Sequence, residues 1–354
     1  MLKLSDYYEA IKVVCDELSE LPNYLKPLSI YRAGNIGSPG ISDIDLIIGV
    51  DDNFCYGQEL FYQFNKILDK IKHRKILFLH LPLLFANKDL SKLPYFSFNP
   101  INDLELLLGN DVFIKKTEIC DDQILLRSME FMHARIIDLL TQTFSREINE
   151  KHILVIGHSF IHSLKAINKI NSKLNLKEDN FRTFCKIEEY RSKIASGLNV
   201  EINDSQCEEL YKGICGEFYH LLGYFYDEIE KKVAFHWSKN FKTFQYHNKI
   251  YLRDLNKRSK NLNIEFKNGN YEIKGFSWEM KCLADNYFLE NQNYSTIFLD
   301  KNFKNEIFKR KDYLGSIYNF NMVNFGNATG RSAFRTYAMG SVLDYLSLGI
   351  NILK

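Results

Sequence analysis

The chain has 354 residues, of which 46 are Lys or Arg and 44 are Asp or Glu, so its formal net charge is +2. Hydrophobic residues make up 45% and charged residues 25% of the chain, which excludes a disordered, collagen-like or coiled-coil protein. The near-neutral charge also argues against long nucleic acid as a partner, because nucleic-acid binders need basic surfaces.

Cysteine spacing and hydropathy restrict the class of protein further. The seven cysteines are widely spaced and include no C-x-x-C pair, so the sequence predicts neither a disulfide framework nor a thiolate zinc site. The N-terminus lacks the basic segment and apolar run of a secretion signal. The longest apolar stretch, over 76–86, is too short to cross a bilayer. We therefore expect a cytoplasmic protein without a membrane partner.

The first part of the chain predicts a small domain of helices and strands. Apolar residues recur at helical spacing in two segments, and short apolar runs bounded by turn residues occur in three. The predicted elements are helices over 5–21 and 57–72 and strands over 28–33, 43–50 and 75–85. Asn99-Pro100 predicts the start of a short helix that ends at Gly109, and 112–114 predicts a further strand. This order indicates a mixed-sheet α/β domain over 1–118.

Residues 119–354 predict a second, mainly helical domain. Helical periodicity begins at Asp121, and the pattern changes to short strands over 240–300. There, Asn268-Gly269-Asn270 predicts the turn of a hairpin, so the helical domain carries a small β-hairpin insertion. The predicted helices cover 121–145, 150–172, 180–196, 204–232 and 333–348.

One segment of the N-terminal domain predicts chemistry. A strand ends at Ala33 and leads into a glycine-rich turn over 34–40, whose backbone N–H groups permit a close approach of phosphate. The next strand begins with Asp43 and Asp45, and residues two apart on a strand point to the same side. Adjacent carboxylates repel each other unless a cation lies between them, and Mg²⁺ prefers one or two carboxylates together with substrate phosphates. The segment therefore predicts a site for a divalent cation and a nucleoside triphosphate.

This pattern of a small residue, Gly, a turn and Ser-Asp-apolar-Asp-apolar resembles the signature of the DNA polymerase beta-like nucleotidyltransferase superfamily. The resemblance concerns the N-terminal domain, where the order of the predicted elements also fits. It implies a nucleotidyltransferase-like fold for 1–118 and a metal site at Asp43 and Asp45 that binds Mg²⁺ or Mn²⁺. The residues that it implies for nucleotide binding, with their polar neighbours in the turn, are Gly34, Asn35, Ser38 and Ser42.

One functional residue of the superfamily has no obvious counterpart. Members carry a third carboxylate on the strand after the next helix, where it acts as base for the acceptor hydroxyl, but the predicted strand over 75–85 contains no Asp or Glu. His80 lies in that strand and is our predicted catalytic residue beside Asp43 and Asp45. Glu105 is the acidic alternative from the next predicted helix.

The sequence thus predicts an enzyme that uses Mg²⁺ or Mn²⁺ to transfer a nucleoside monophosphate from a nucleoside triphosphate to an acceptor. The charge of +2 favours a small molecule, a sugar or a protein as acceptor over long nucleic acid. Two alternatives stay open: a degenerate member that binds a ligand without catalysis, and a toxin or defence transferase that acts on tRNA.

Two further patterns are compatible with other functions. Asp-x-Asp also binds the metal of nucleotide-sugar glycosyltransferases, although there the apolar strand usually precedes the acidic pair. His158 and His162 are four residues apart, which places both imidazoles on one helix face as in zinc sites, but the sequence offers no obvious third ligand. We expect both to be ordinary helix histidines.

Overall fold

The N-terminal part of the chain alternates helices and strands. The computed structural model describes residues 2–34, 36–79, 81–96, 104–112, 119–145, 150–237, 263–267, 270–274, 294–298 and 300–325. Up to residue 112 the elements are Leu4–Ser19 (α1), Ser29–Ala33 (β1), Asp45–Val50 (β2), Gly57–Asp69 (α2), Arg74–Leu77 (α3), Leu83–Ala86 (β3), Asn87–Leu90 (α4), Leu93–Phe96 (α5) and Leu104–Gly109 (β4).

These four strands form one mixed sheet in the order β3-β2-β1-β4. Strand β1 pairs antiparallel with β2 on one side and with β4 on the other, whereas β3 runs parallel to β2. The chain between the two parallel strands includes α2, a helical crossover of the kind that parallel strands need. The predicted class, a mixed-sheet α/β part followed by a mainly helical remainder, is confirmed at this coarse level.

The predicted strand over 75–85 is wrong in its first half. Residues Arg74–Leu77 form α3, in which the His73 carbonyl accepts hydrogen bonds from two backbone N–H groups of the turn. Pairing with β2 begins only at Leu83, directly after Pro82, which has no N–H to donate to a neighbouring strand.

The predicted helix that ends at Gly109 is wrong as well, because its last residues form β4. Strand β1 pairs with β2 along one edge and with β4 along the other. This second pairing holds the sequence Leu-Glu-Leu-Leu-Leu in an extended conformation. Gly109 has a φ of +87°, and a Cβ at this position would lie 1.9 Å from the Leu28 carbonyl oxygen. Only glycine fits this approach to β1. Asn99-Pro100 and residues 113–114 lie outside the described residues.

Helices α1 and α2 contribute most of the helical side chains in the core that packs on one face of this sheet. Val14 of α1 and Phe64 of α2 are fully buried in the same cluster as Ile30, Leu46 and Ile48 of the strands. Burial of each such side chain contributes roughly 1.5–3 kcal/mol to folding. The apolar faces of both amphipathic helices therefore pack against this face of the sheet.

The remaining described elements are mainly helical. Besides a short 3-10 helix at Glu178–Asn180, they are Asp121–Ser145 (α6), Glu150–His158 (α7), Phe160–Ile170 (α8), Arg182–Ala195 (α9), Asp204–Glu230 (α10), Val233–Trp237 (β5), Asn263–Lys267 (β6), Asn270–Lys274 (β7), Tyr294–Phe298 (β8) and Lys301–Phe325 (α11). The predicted hairpin is confirmed, because β6 and β7 pair antiparallel; its turn residues 268–269 lie outside the described part.

Two helix predictions in this part need correction. The predicted helix over 150–172 is interrupted at Ser159, whose hydroxyl and N–H both donate to the Ile156 carbonyl and so compete with regular helical bonds. No helix is predicted over 301–325, where the structure has α11, although apolar residues such as Phe303, Ile307 and Ile317 recur there and are buried. The predicted helix over 333–348 lies outside the described residues.

The chain forms two compact units. The first comprises Met1–Ile119, Arg191–Val200 and Asp312–Tyr337, and the second comprises Cys120–Tyr190, Glu201–Lys311 and Ala338–Lys354. Helices α9 and α11 therefore contribute residues to both units. The domain limits 1–118 and 119–354 stay predictions.

The core of the second unit includes the apolar stripe of α10. Phe160 of α8 packs edge to face on Phe218 of α10, with ring centroids 5.1 Å apart. The residues that form this stripe at helical spacing are all buried: Leu210, Tyr211, Ile214, Phe218, Leu221, Leu222 and Phe225. No helix among the described residues has the length and apolar character that crossing a bilayer demands.

The last turns of α11 belong to the first unit and complete its core. Phe320 and Phe325 are buried with the side chains of α2, and the ring centroids of Phe325 and Phe61 are 4.9 Å apart. Asn324 accepts a hydrogen bond from the Gly57 N–H, the first residue of α2, at 2.9 Å. Helix α11, which is distant in sequence, thus provides a hydrogen-bond acceptor for a backbone N–H at the N-terminus of α2.

Candidate functional site

The two aspartates of the predicted site lie at the start of β2. Asp45 is the first residue of the strand and pairs with Ala33, the last residue of β1. Between Asp43 and Asp45, Ile44 is buried in the core, and its N–H donates to the Leu77 carbonyl at 2.7 Å. Because successive side chains of a strand alternate, Asp45 is on the face away from this core. The strand begins at Asp45 and not at Asp43 as predicted, so Asp43 lies two residues before it. Both aspartates are partly exposed.

The turn between β1 and β2 has open space beside its backbone. Gly34 and Gly40 have φ values of +75° and +87°, in the left-handed region that favours glycine. An added Cβ at Gly37 or Gly40 would meet no atom within 4 Å. A ligand can therefore approach the main chain of the turn closely, as phosphate binding requires. Asn35, the predicted neighbour of Gly34, lies outside the described residues.

Ser38 and Ser42 close the turn through reciprocal hydrogen bonds. The Ser38 N–H donates to Ser42 Oγ at 3.0 Å, and the Ser42 N–H donates to the Ser38 carbonyl at 2.8 Å. The structure thus brings these two predicted residues together, next to Asp43. Ser42 holds the turn with its hydroxyl oxygen.

Tyr7 of α1 fixes the same turn. Its side chain is fully buried, and its hydroxyl donates to the Ser42 carbonyl at 2.7 Å and accepts from the Gly40 N–H at 2.9 Å. Burial raises the pKa of Tyr7 and the charge of Asp43 raises it further, while the bond from Gly40 lowers it. Tyr7 therefore stays a neutral donor at neutral pH. Sequence alone does not identify it, because a tyrosine on the apolar face of a helix resembles any core residue.

Arg191 of α9 brings a positive charge to the turn. Its side chain is only 6% exposed, and its Nη2 donates to Ser38 Oγ at 3.4 Å. The two residues are 153 positions apart in the sequence, and no motif connects them. Sequence reasoning therefore misses Arg191, although it belongs to the same compact unit as the turn.

Glu105 does not join the two aspartates. Cross-strand neighbours share a face of a sheet, and Glu105 of β4 is opposite Arg32 of β1, which is opposite Leu46 of β2. Asp45 belongs to the alternate set of positions and therefore to the other face. Glu105 also forms an ion pair with Arg32 at 2.5 Å. This register removes Glu105 as the third carboxylate of the site.

The predicted catalytic histidine, His80, lies outside the described residues. The strand that follows it, β3, contains Leu83–Ala86, which are all buried and include no acidic residue. Asp111, which follows β4, accepts a hydrogen bond from the Tyr31 hydroxyl at 3.3 Å. On the face of the sheet that carries Asp45, the four strands offer no other carboxylate, and Asp43 lies just before β2.

The donor chemistry at the start of β2 fits Mg²⁺ or Mn²⁺. Carboxylate oxygens are hard donors, and Mg²⁺ in proteins commonly takes one or two carboxylates and completes its shell with water and substrate phosphates. Among the described residues no group of three or more His, Cys, Asp or Glu is arranged to hold a metal ion. A cation held by Asp43 and Asp45 would therefore need further oxygen ligands.

The histidine pair of α7 and α8 lies in the second unit and has other neighbours. His158 Nδ1 is 2.8 Å from Glu188 Oε1. Burial lowers the pKa of His162 to about 4, and the nearby positive charges, with His158 first among them, act in the same direction. His162 is therefore neutral at neutral pH and only partly exposed, which is typical of a histidine that packs on a helical core.

Comparison with known proteins gives no relative of this chain. No protein-family model, no curated protein and no solved structure matches it. The resemblance to nucleotidyltransferases therefore stays a prediction from the turn, the aspartate pair and the order of the predicted elements.

Proposed function

We propose that this protein is a nucleotidyltransferase that depends on Mg²⁺ or Mn²⁺ and resembles the DNA polymerase beta-like superfamily. The observation that carries the proposal is the open glycine turn, held by Tyr7 next to two aspartates at the start of β2. A phosphate chain and a divalent cation are the ligands that such a turn and such a pair favour.

In the proposed reaction an acceptor oxygen forms a bond to the α-phosphorus of a nucleoside triphosphate. The bond from that phosphorus to the pyrophosphate oxygen breaks, and pyrophosphate leaves. The turn from Gly34 to Ser42 binds the phosphates through N–H and hydroxyl groups. Asp43 and Asp45 would hold the cation, which when bound neutralises phosphate charge. His80 is the proposed base for the hydroxyl proton, because imidazole accepts protons near neutral pH.

The proposed acceptor is a small molecule, a sugar or a protein. The formal charge of +2 over 354 residues supports this choice, because it provides little general attraction for a polyanion. Long nucleic acid is therefore the less favoured acceptor.

Calorimetric titration of the full chain with a nucleoside triphosphate, with and without Mg²⁺, tests the site. We expect Asp43→Asn/Asp45→Asn to weaken Mg²⁺-dependent binding by about 10-fold or more, which corresponds to about 1.4 kcal/mol. Asp51→Asn/Asp52→Asn is the matched control, because it removes two exposed charges directly after the other end of β2. Unchanged Mg²⁺-dependent binding in the first variant overturns the site.

A second candidate is a degenerate member of the superfamily that binds the nucleotide without transferring it. The register that places Glu105 on the face opposite Asp45, and the absence of acidic residues from β3, favour this candidate. Pyrophosphate release in the presence of sugars, proteins, small alcohols and tRNA separates the two. Turnover that Asp45→Ala abolishes excludes the degenerate member, and nucleotide binding without turnover supports it.

A further inference from the structure

Arg191 is a buried cation in contact with the turn that the proposed function assigns to phosphate binding. Its side chain comes from α9, and its Nη2 lies 3.4 Å from Ser38 Oγ. This distance is long for a hydrogen bond, and the contact is not the only interaction of Arg191. A guanidinium forms shorter and stronger bonds to phosphate oxygens, to which its planar fork of N–H donors is matched.

The residue that Arg191 contacts lies between two open positions of the turn. Ser38 follows Gly37 and precedes Gly40 by two residues, and a Cβ at either glycine would meet no atom within 4 Å. Tyr7 and Ser42 hold this part of the turn through hydrogen bonds. A ligand therefore has room on both sides of Ser38, at a main chain whose conformation is already fixed.

Charge balance gives Arg191 a defined role. A triphosphate brings several negative charges to a turn that is followed by Asp43 and Asp45, and a divalent cation compensates charge at those carboxylates. We propose that Arg191 binds the phosphate chain of the nucleotide and thereby selects nucleoside triphosphates over monophosphates. This inference rests on the proposed function, because it takes the turn as the phosphate site.

Calorimetric titration of the full chain with ATP or AMP in the presence of Mg²⁺ tests this inference. We expect Arg191→Gln to weaken ATP binding by about 10-fold to 100-fold, the usual effect of losing a charged hydrogen-bond partner, and to change AMP binding far less. Arg182→Gln is the matched control, because it makes the same change at an exposed position of the same helix.

Each outcome has a distinct meaning. Equal ATP affinity in Arg191→Gln and the wild type overturns the inference and leaves the proposed function intact, and an equal loss for ATP and AMP overturns it in favour of a structural role. A wild-type chain that binds no ATP overturns the proposed function itself. If Arg191→Gln does not fold, Arg191→Lys is compared with Arg182→Lys. Loss of the planar guanidinium in Arg191→Lys should then weaken ATP binding at least about threefold. Unchanged ATP affinity in this variant overturns the inference.

Discussion

At the scale of single residues, Tyr7 connects a core helix to the candidate site. It is fully buried, and its hydroxyl bonds both the Ser42 carbonyl and the Gly40 N–H. We expect Tyr7→Phe to lower the free energy of unfolding by about 1–3 kcal/mol, because two buried backbone groups lose their partner. Urea denaturation measures this change. Tyr8→Phe is the control, since Tyr8 is 51% exposed, and equal stability of the two variants would contradict the role of Tyr7.

Asp89 of α4 is a second informative residue, because its carboxylate is almost completely buried. It accepts hydrogen bonds from Ser316 Oγ of α11 at 3.0 and 3.2 Å. Burial raises the pKa of Asp89 above its ordinary value of 3.8, although the bond from Ser316 lowers it. The folded protein therefore binds this proton more tightly than the unfolded chain, and stability decreases as pH rises from 3.8 through the raised pKa.

We accordingly expect Asp89→Asn to be more stable than the wild type at neutral pH, because Asn keeps an acceptor for Ser316 without a buried charge. The advantage should shrink as pH falls through the raised pKa. Urea unfolding at about pH 7 and about pH 4 measures it, with the exposed Asp16→Asn as control. A difference from the wild type that does not depend on pH would contradict the expected titration.

At the scale of elements, the end of α11 is joined to the start of α2. Asn324 accepts from the Gly57 N–H at 2.9 Å and donates to the Phe54 carbonyl at 3.0 Å. We expect Asn324→Ala to lower the free energy of unfolding by roughly 1–3 kcal/mol, because it removes a cap from the N-terminus of α2. Thermal and urea unfolding measure this loss. The exposed Asn319→Ala on the same helix should have little effect, and equal loss in both would contradict the capping role.

The elements also show which parts of the fold a sequence can predict. Helices α1 and α2 and strands β1 and β2 follow from local apolar spacing, and so does the placement of Asp43 and Asp45 after the turn. Strand β4 does not, because its conformation depends on pairing with β1 across many intervening residues.

The residues of the candidate site also comprise a group that the sequence places together and one residue that only the fold brings to them. Gly34, Ser38, Ser42 and the aspartates lie within a single segment, so their proximity can be read from the sequence. Arg191 can be found only from the fold, because its contact with Ser38 spans 153 positions and no local pattern marks it.

At the scale of the whole molecule, the first compact unit is assembled from separate parts of the chain. Phe320 and Phe325 of α11 are buried in its core, and removing a buried phenylalanine typically costs about 3–5 kcal/mol. We therefore expect a fragment of residues 1–118 to lack cooperative unfolding. Circular dichroism during urea titration measures this, with the full chain as reference. A fragment that unfolds as cooperatively as the full chain would show that α11 is dispensable for this unit.

We propose that a nucleoside triphosphate and a divalent cation bind between the glycine turn and the aspartates at the start of β2. A crystal structure of the full chain with Mn²⁺ and a non-hydrolysable triphosphate tests it most directly, because anomalous scattering locates the metal. We expect a manganese peak coordinated by Asp43 and Asp45, with the phosphates against the main chain of Gly37 to Gly40. A nucleotide bound elsewhere, or a manganese ion away from both aspartates, would contradict it.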